Sequence, residues 1–516
     1  MGGRSPRKPI ARPLTREAAA DPSARAADGP PGKGFAMAEF DTVIRNAQVA
    51  TAADVFRADI GISGGVISAL GQSLAPARRE IDATGRYVLP GGIDTHCHFD
   101  QPMRGGVTLS DDFLSGPISA AHGGTTTVVP FACQLQGQGA RAAVEDYHRR
   151  AAGKPVIDYA FHMIISDPTE EVLRHELPAL IAEGYSSFKI YMTYETLKLE
   201  DRQIIAVLAL ARREGAMVMV HAENADCIAW LTRELEAAGQ IAPYYHAVSR
   251  PAPVEREGTH RAISMGEIVD VPILLVHVSS AEATEQIRWA QGRGLRIYAE
   301  TCPQYLVLTA EHLRQPGFDG AKYVCSPPPR DAISQEAIWN GLATGVFQVV
   351  SSDHAAFRFD DPTGKKRHGE SAPFAQIPNG LPGVETRLPL LFSEGVVKRR
   401  IDLTTFVAVA ATNPAKLYGL YPRKGTIAVG SDADLAIWNA EREVVITNDL
   451  LHHNCDYTPY EGMAVRGWPE LVMSRGEVVV EEGKLLAEPG QGQFLRCGRP
   501  EPARPRPAGI GRAAAP

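Results

Sequence analysis

Between residues 90 and 420 the sequence alternates short apolar runs with amphipathic stretches, and it does so eight times. Strand-type segments read at 92–98, 125–132, 158–165, 187–192, 217–221, 273–278, 296–301 and 348–352. Helical stretches fall between them at 141–152, 170–183, 202–214 and 281–292; in the third, Ile204, Ile205, Leu208 and Ala209 recur at helical spacing. Such alternation demands a parallel sheet with helices packed on it, because parallel strands need crossover connections. Eight units in a row predict an α/β fold of the (β/α)8 TIM-barrel type with insertions. A doubly wound open sheet is the competitor, and no Gly-rich dinucleotide fingerprint follows the first strand to support it.

The flanks have a different texture. Residues 41–50, 58–63 and 66–70 read as strands, with Gly64-Gly65 as a hairpin turn, and strand patterns return at 425–427, 433–438, 444–447 and 470–479. We expect one small β-sandwich domain built from both ends of the chain, 37–89 and 421–485, around a barrel at 90–420. Residues 1–36 are rich in Arg, Pro, Ala and Gly and lack apolar periodicity, which predicts a disordered tail; residues 486–516 read as a flexible C-terminal tail for the same reason. A net charge of -7 gives no reason to expect nucleic-acid binding, and no apolar run is long enough to span a bilayer. The seven cysteines are scattered without a Cys-x-x-Cys pair, which points to reduced thiols and a cytoplasmic setting.

In a TIM barrel the chemistry sits at the C-terminal ends of the strands, so the residues there carry the functional information. The first strand leads into His96 and His98, which project to one face if the strand continues through them. The fourth carries Lys189 among apolar neighbours, the fifth ends in His221, the sixth in His277 and the eighth in Asp353. The remaining histidines, the His452-His453 pair among them, read as structural. Four imidazoles and a carboxylate suit zinc, with Mn, Co or Fe as substitutes. Six ligands are too many for one catalytic tetrahedral ion that keeps a water position open, so two ions are expected. A buried lysine favours its neutral amine, which can take up carbon dioxide to form an anionic carbamate with one oxygen for each metal.

The motifs around these positions are specific. They are Pro-Gly-Gly-Ile-Asp-Thr-His-Cys-His at 90–98, Gly-Gly-Thr-Thr-Thr at 123–127, Ser-Ser-Phe-Lys at 186–189 and Val-His-Ala-Glu-Asn at 220–224. Cys-Ser-Pro-Pro-Pro-Arg at 325–330, Ser-Asp-His-Ala at 352–355, Pro-Asn-Gly at 378–380 and a Gly-Thr-Ile-Ala-Val-Gly-Ser-Asp-Ala-Asp run ending at 434 follow. Over nearly all of residues 38–485 the sequence resembles the dihydropyrimidinases and D-hydantoinases of the amidohydrolase superfamily. The resemblance implies that His96, His98, carboxylated Lys189 and Asp353 hold one zinc and that Lys189, His221 and His277 hold the other. It implies that Tyr194 hydrogen-bonds the developing oxyanion, that the backbone groups of Ser326 and Asn379 grip the ring's amide edges, and that Asp353 is general base and then acid. A metal-bridging hydroxide would open dihydrouracil, dihydrothymine or 5-monosubstituted hydantoins to N-carbamoyl amino acids, as in pyrimidine degradation. The resemblance further implies a homotetramer or homodimer with no nucleic-acid or membrane partner.

Allantoinases and dihydroorotases share the barrel and metals but typically place an arginine two residues after His-x-His. Asp100 stands there and disfavours both. Non-catalytic scaffold relatives have lost metal ligands, whereas all six are present here. Departures from the family wording at Asp100-Gln101-Pro102, Ala356 and Glu385-Thr386-Arg387 are expected at the rim, where they bear on substrate preference. Phe99, Pro102, Met103 and Tyr194 are expected to give that rim an apolar, aromatic lining.

Overall fold

The computed structural model describes residues 39–103 and 105–504. The expected N-terminal tail, 1–36, lies outside the described residues, as do 505–516 of the expected C-terminal tail. All eight barrel strands are present, at Gly92–Asp94, Thr125–Val128 with Phe131–Cys133, Asp158–Tyr159 with His162–Ile164, Ser187–Tyr191, Met217–His221, Ile273–Leu275, Ile297–Thr301 and Val349–Val350. Neighbours pair in parallel and in chain order. The second strand is interrupted at Val129-Pro130, where proline has no N–H for the ladder. Between the eighth strand and the first, the ring closes through a parallel bridge from Cys97 to His354 and through Arg387, which donates to the carbonyls of Val350 and Ile93. The fold is a TIM barrel.

Helices lie between the strands, and their buried faces follow helical spacing. Asp201–Glu214 buries Ile204, Val207, Leu208 and Ala211, whereas Ile205 and Ala209 face outward. The expected face was therefore rotated by about one position: the i, i+3, i+4, i+7 set runs through Val207 and Ala211. A capping box between Glu200 and Gln203 starts this helix, and Gly215 in the left-handed conformation ends it.

Both ends of the chain meet in one nine-stranded sheet. Tyr87–Pro90 is the seam, since it pairs in parallel with Phe40–Ala50 and antiparallel with Leu435–Val445. Inward residues of both ends, including Ile44, Ile60, Val88, Leu435 and Met473, share an apolar core of their own. The expected strands 433–438 and 444–447 are one strand, Leu435–Val445, and two others also differ. Residues 425–427 are not in a strand, although Ile427 is buried in this core, and 470–479 splits into Ala464–Ser474 and Glu477–Glu481. Arg475 and Gly476, both at positive φ, form the turn between them.

The expectation of a flexible tail from 486 onward is overturned for residues 486–504. The Leu495 N–H donates to the Tyr159 carbonyl at 2.7 Å, and the Tyr159 N–H donates to Gln493 at 3.0 Å. Leu495 and Cys497 are buried with Ile93, Val129 and Leu420. Phe494 packs edge-on against His148 and Tyr159. The composition reads as a tail because its few apolar residues show no periodicity; the barrel surface they cover supplies the reason for order.

Candidate metal centre

His96 and His98 lie just beyond the first strand, which ends at Asp94, and not within it as expected. Their convergence comes from the loop's own hydrogen bonds. The His96 N–H donates to Asp94 Oδ1 at 3.2 Å, and the His98 N–H donates to the His354 carbonyl at 2.7 Å. Tyr194, His277 and Asp353 also depart from regular strand geometry, with φ of 65°, 40° and 49°. Non-glycine residues occupy that region at a cost, and such residues cluster at functional sites.

The six expected ligands meet on this rim. Lys189 Nζ lies 2.5 Å from His96 Nε2. Asp353 Oδ1 is 3.1 Å from His96 Nε2 and 3.4 Å from His98 Nε2. His277 Nε2 is 2.9 Å from His221 Nδ1, and the His96 and His277 ring centroids are 5.4 Å apart. All six are buried or nearly so.

Three acceptors behind the rings decide which nitrogen faces the centre. Glu300 Oε1 accepts a hydrogen bond from His96 Nδ1–H at 2.6 Å, Gln101 Oε1 one from His98 Nδ1–H at 2.7 Å, and Glu223 Oε2 one from His221 Nε2–H at 2.7 Å. Each leaves a lone pair on the opposite nitrogen, and those nitrogens are the ones that converge. Such outer carboxylates and amides typically orient metal-binding imidazoles and raise their basicity. Lone pairs facing one another and a carboxylate need cations between them, so this donor set fits divalent metal. Sequence reasoning missed these three residues. Glu223 sits two after His221, and Glu300 is a carboxylate inside a buried strand, which was the available signal.

Electrostatics support the same chemistry. Burial pushes His98, His221 and His277 below the ordinary imidazole range, which keeps them neutral. His96 is the exception: burial and Lys189 lower it, but Glu300 and Asp353 outweigh them. Burial lowers the Lys189 ammonium to about 8, so its neutral amine is accessible. Burial alone would raise Asp353; His96 and His98 instead hold it well below the carboxylate range. Burial raises the Tyr194 hydroxyl to about 12, so it remains a donor at neutral pH.

A cavity of about 220 Å³ opens over these groups. Tyr194, Ser326 and Asn379 line it together. Lys365 is a further residue the sequence did not reveal. Its buried Nζ donates to the carbonyls of Val324 and Pro378, beside the segments that carry Ser326 and Asn379. Met103, Leu109 and Phe357 make the apolar wall. Phe99 does not reach it: it is fully buried against Phe113 and His354, and Pro102 is not in the lining. Asp100 also turns away, pairing with Arg150 at 3.0 Å. Glu385 and Arg387 lie buried outside the cavity, so the rim placement expected for them is corrected too.

The amidohydrolase family profile matches residues 87–479. A D-hydantoinase of Ralstonia pickettii is 46% identical over 458 residues, covering 89% of this chain and 99% of the relative. A solved D-hydantoinase structure superposes with a TM-score of 0.87 at 45% identity, covering 90% of this chain and 100% of that one. The crystal structure of dihydropyrimidinase from Brevibacillus agri gives 0.86 at 43% identity, with 89% and 99% covered.

Proposed function

The chain belongs to the amidohydrolase family, and from that premise we propose that it opens the ring of dihydropyrimidines or 5-monosubstituted hydantoins to give N-carbamoyl amino acids. It is a hydrolase of carbon–nitrogen bonds in cyclic amides. The observation that carries the finer reading is the meeting of the six ligand residues with Tyr194, Ser326 and Asn379 around one small cavity.

His96, His98, Lys189 and Asp353 would hold one divalent ion, and Lys189, His221 and His277 the other, with Lys189 carboxylated. Zinc suits the nitrogen-rich set. Bound there, such ions would activate a water near neutral pH and polarise the scissile carbonyl. Asp353, kept ionised by the imidazoles beside it, accepts the proton that water gives up and returns it to the departing ring nitrogen. Tyr194 donates a hydrogen bond to the oxygen on which charge develops. The backbone of Ser326 and Asn379 reads the donor–acceptor edge of the ring, while Met103, Leu109 and Phe357 receive its substituent. We assign the reaction to a soluble, cytoplasmic homo-oligomer; no helix among the described residues is long and apolar enough to cross a membrane, and all seven cysteines are free.

The test compares dihydrouracil, phenylhydantoin, allantoin and dihydroorotate as substrates of the metal-loaded protein. One of the first two should give the highest kcat/KM, the ratio that measures differential transition-state binding. A higher value for allantoin or dihydroorotate than for both would refute the reading. Lys189→Arg should hold two divalent ions per chain fewer than the wild type, since a guanidinium forms no carbamate.

A further inference from the structure

Behind the cavity, two buried side chains take hold of backbone carbonyls next to Ser326 and Asn379. His246 lies in the short helix Tyr245–Val248 and Lys365 in the loop after the eighth strand; they are 2% and 1% exposed. His246 Nε2 is 2.8 Å from the Cys325 carbonyl oxygen, and a carbonyl only accepts, so the ring proton sits on Nε2. Lys365 Nζ donates to the Pro378 carbonyl at 2.6 Å and to the Val324 carbonyl at 2.9 Å. The Val324 carbonyl also accepts from the Gly380 N–H at 3.0 Å, which fastens the two segments to each other.

The Cys325 carbonyl and the Ser326 N–H are the two ends of one peptide unit, and so are the Pro378 carbonyl and the Asn379 N–H. Both units are trans, so in each the N–H points opposite to the C=O. Holding the carbonyl from behind therefore aims the N–H the other way. Neither N–H makes a hydrogen bond among the described residues, although backbone donors away from water are normally paired, and both residues line the cavity. Unpaired donors at a cavity wall suit the carbonyl oxygens of a cyclic ureide. Burial, with Arg250 adding to it, lowers His246 to about 3, so at neutral pH the ring keeps the one proton that its bond needs. Burial lowers Lys365 to about 7. A neutral amine still has two N–H bonds, one for each carbonyl it meets, so its grip outlasts the loss of charge.

We infer that His246 and Lys365 are a pair of positioning residues, each fixing the peptide plane whose N–H meets the substrate ring. The inference rests on the reading of Ser326 and Asn379 as the residues whose backbone grips that ring. Neither side chain is in the cavity lining, so both act through the peptide units they hold. A donor aimed in advance spares the complex the cost of ordering it, which strengthens binding in the ground state and the transition state alike. The pair should therefore set KM more than kcat.

The experiment measures kcat, KM and metal content for metal-loaded wild type, His246→Phe, His246→Gln and Lys365→Met. It uses whichever of the four ring compounds the wild type opens fastest, so a failure of the substrate reading leaves this comparison intact. His246→Phe and Lys365→Met should each raise KM about tenfold with kcat changed by less than about threefold, the pattern of lost uniform binding. Their metal content should match the wild type. His246→Gln, whose amide N–H stands near the position of Nε2, should recover most of the loss. In Lys365→Met, hydrogen exchange should quicken at 378–381 while the strand 187–191 keeps its protection. A wild-type KM in either of the first two variants overturns the inference. So does a loss of kcat and metal in step with the rise in KM, or a His246→Gln no better than His246→Phe. Where a substitution at one site does not fold, the other site decides.

Discussion

At the scale of single residues, the six proposed ligands are only half of the candidate metal centre. Glu300 shows why. One oxygen accepts both the His96 ring proton and the His277 N–H, at 2.6 and 3.1 Å, while the other has no partner. One carboxylate therefore orients a ligand of each proposed ion. Glu300→Gln should keep the shape and the acceptor but lose the charge that raises the basicity of His96. We expect metal affinity to fall about 10–100-fold, as for other outer-shell changes, measured by competition with a chelator. Wild-type affinity in that variant would show that the charge adds nothing.

At the scale of elements, the strand ends place the proposed ligands, and residues 486–504 secure the barrel's second and third strands. Residues 486–504 add backbone hydrogen bonds beside Asp158–Tyr159 and bury Leu495, which is 1% exposed. Leu495→Ala should lower stability by about 2–5 kcal/mol, the usual cost of emptying a leucine site in a packed core. Chemical denaturation checks this, and an unchanged midpoint with an unchanged slope would mean the segment is not part of the cooperative unit.

At the scale of the whole molecule, one charged cluster fastens the nine-stranded sheet to the barrel. Lys424 Nζ is 2.6 Å from Asp158, 2.6 Å from Asp434 and 2.9 Å from Asp432, and Arg475 pairs with Asp158 from the sheet side. Burial would lower the ammonium, but the three carboxylates outweigh it and hold it above its ordinary value of 10.5. A base whose folded value is raised stabilises fully below the unfolded value and loses that contribution only as pH rises through the folded one. Lys424→Met should therefore cost about 3–5 kcal/mol at neutral pH by leaving buried carboxylates unpaired, a loss that persists to mildly alkaline pH and shrinks toward acid as those carboxylates take up protons. A loss that disappeared on the alkaline side of neutrality would contradict this linkage.

The sequence by itself determined the eight-fold alternation and singled out the six residues proposed as ligands. Those are local properties: periodicity dictates which residues are buried, and a histidine or lysine after an apolar run is visible without knowing what it faces. It also determined that the chain's two ends are strand-rich, which made a shared sheet legible. What it could not determine depends on neighbours distant in sequence. Glu300 reaches His96 across 204 residues, Lys365 reaches Val324 across 41, and Leu495 finds order only against Tyr159. The tertiary structure also decided that Asp100 turns to Arg150 and that Phe99 belongs to the core, because a residue's direction beyond a strand end is set by the loop's hydrogen bonds and no longer by the alternation of the strand.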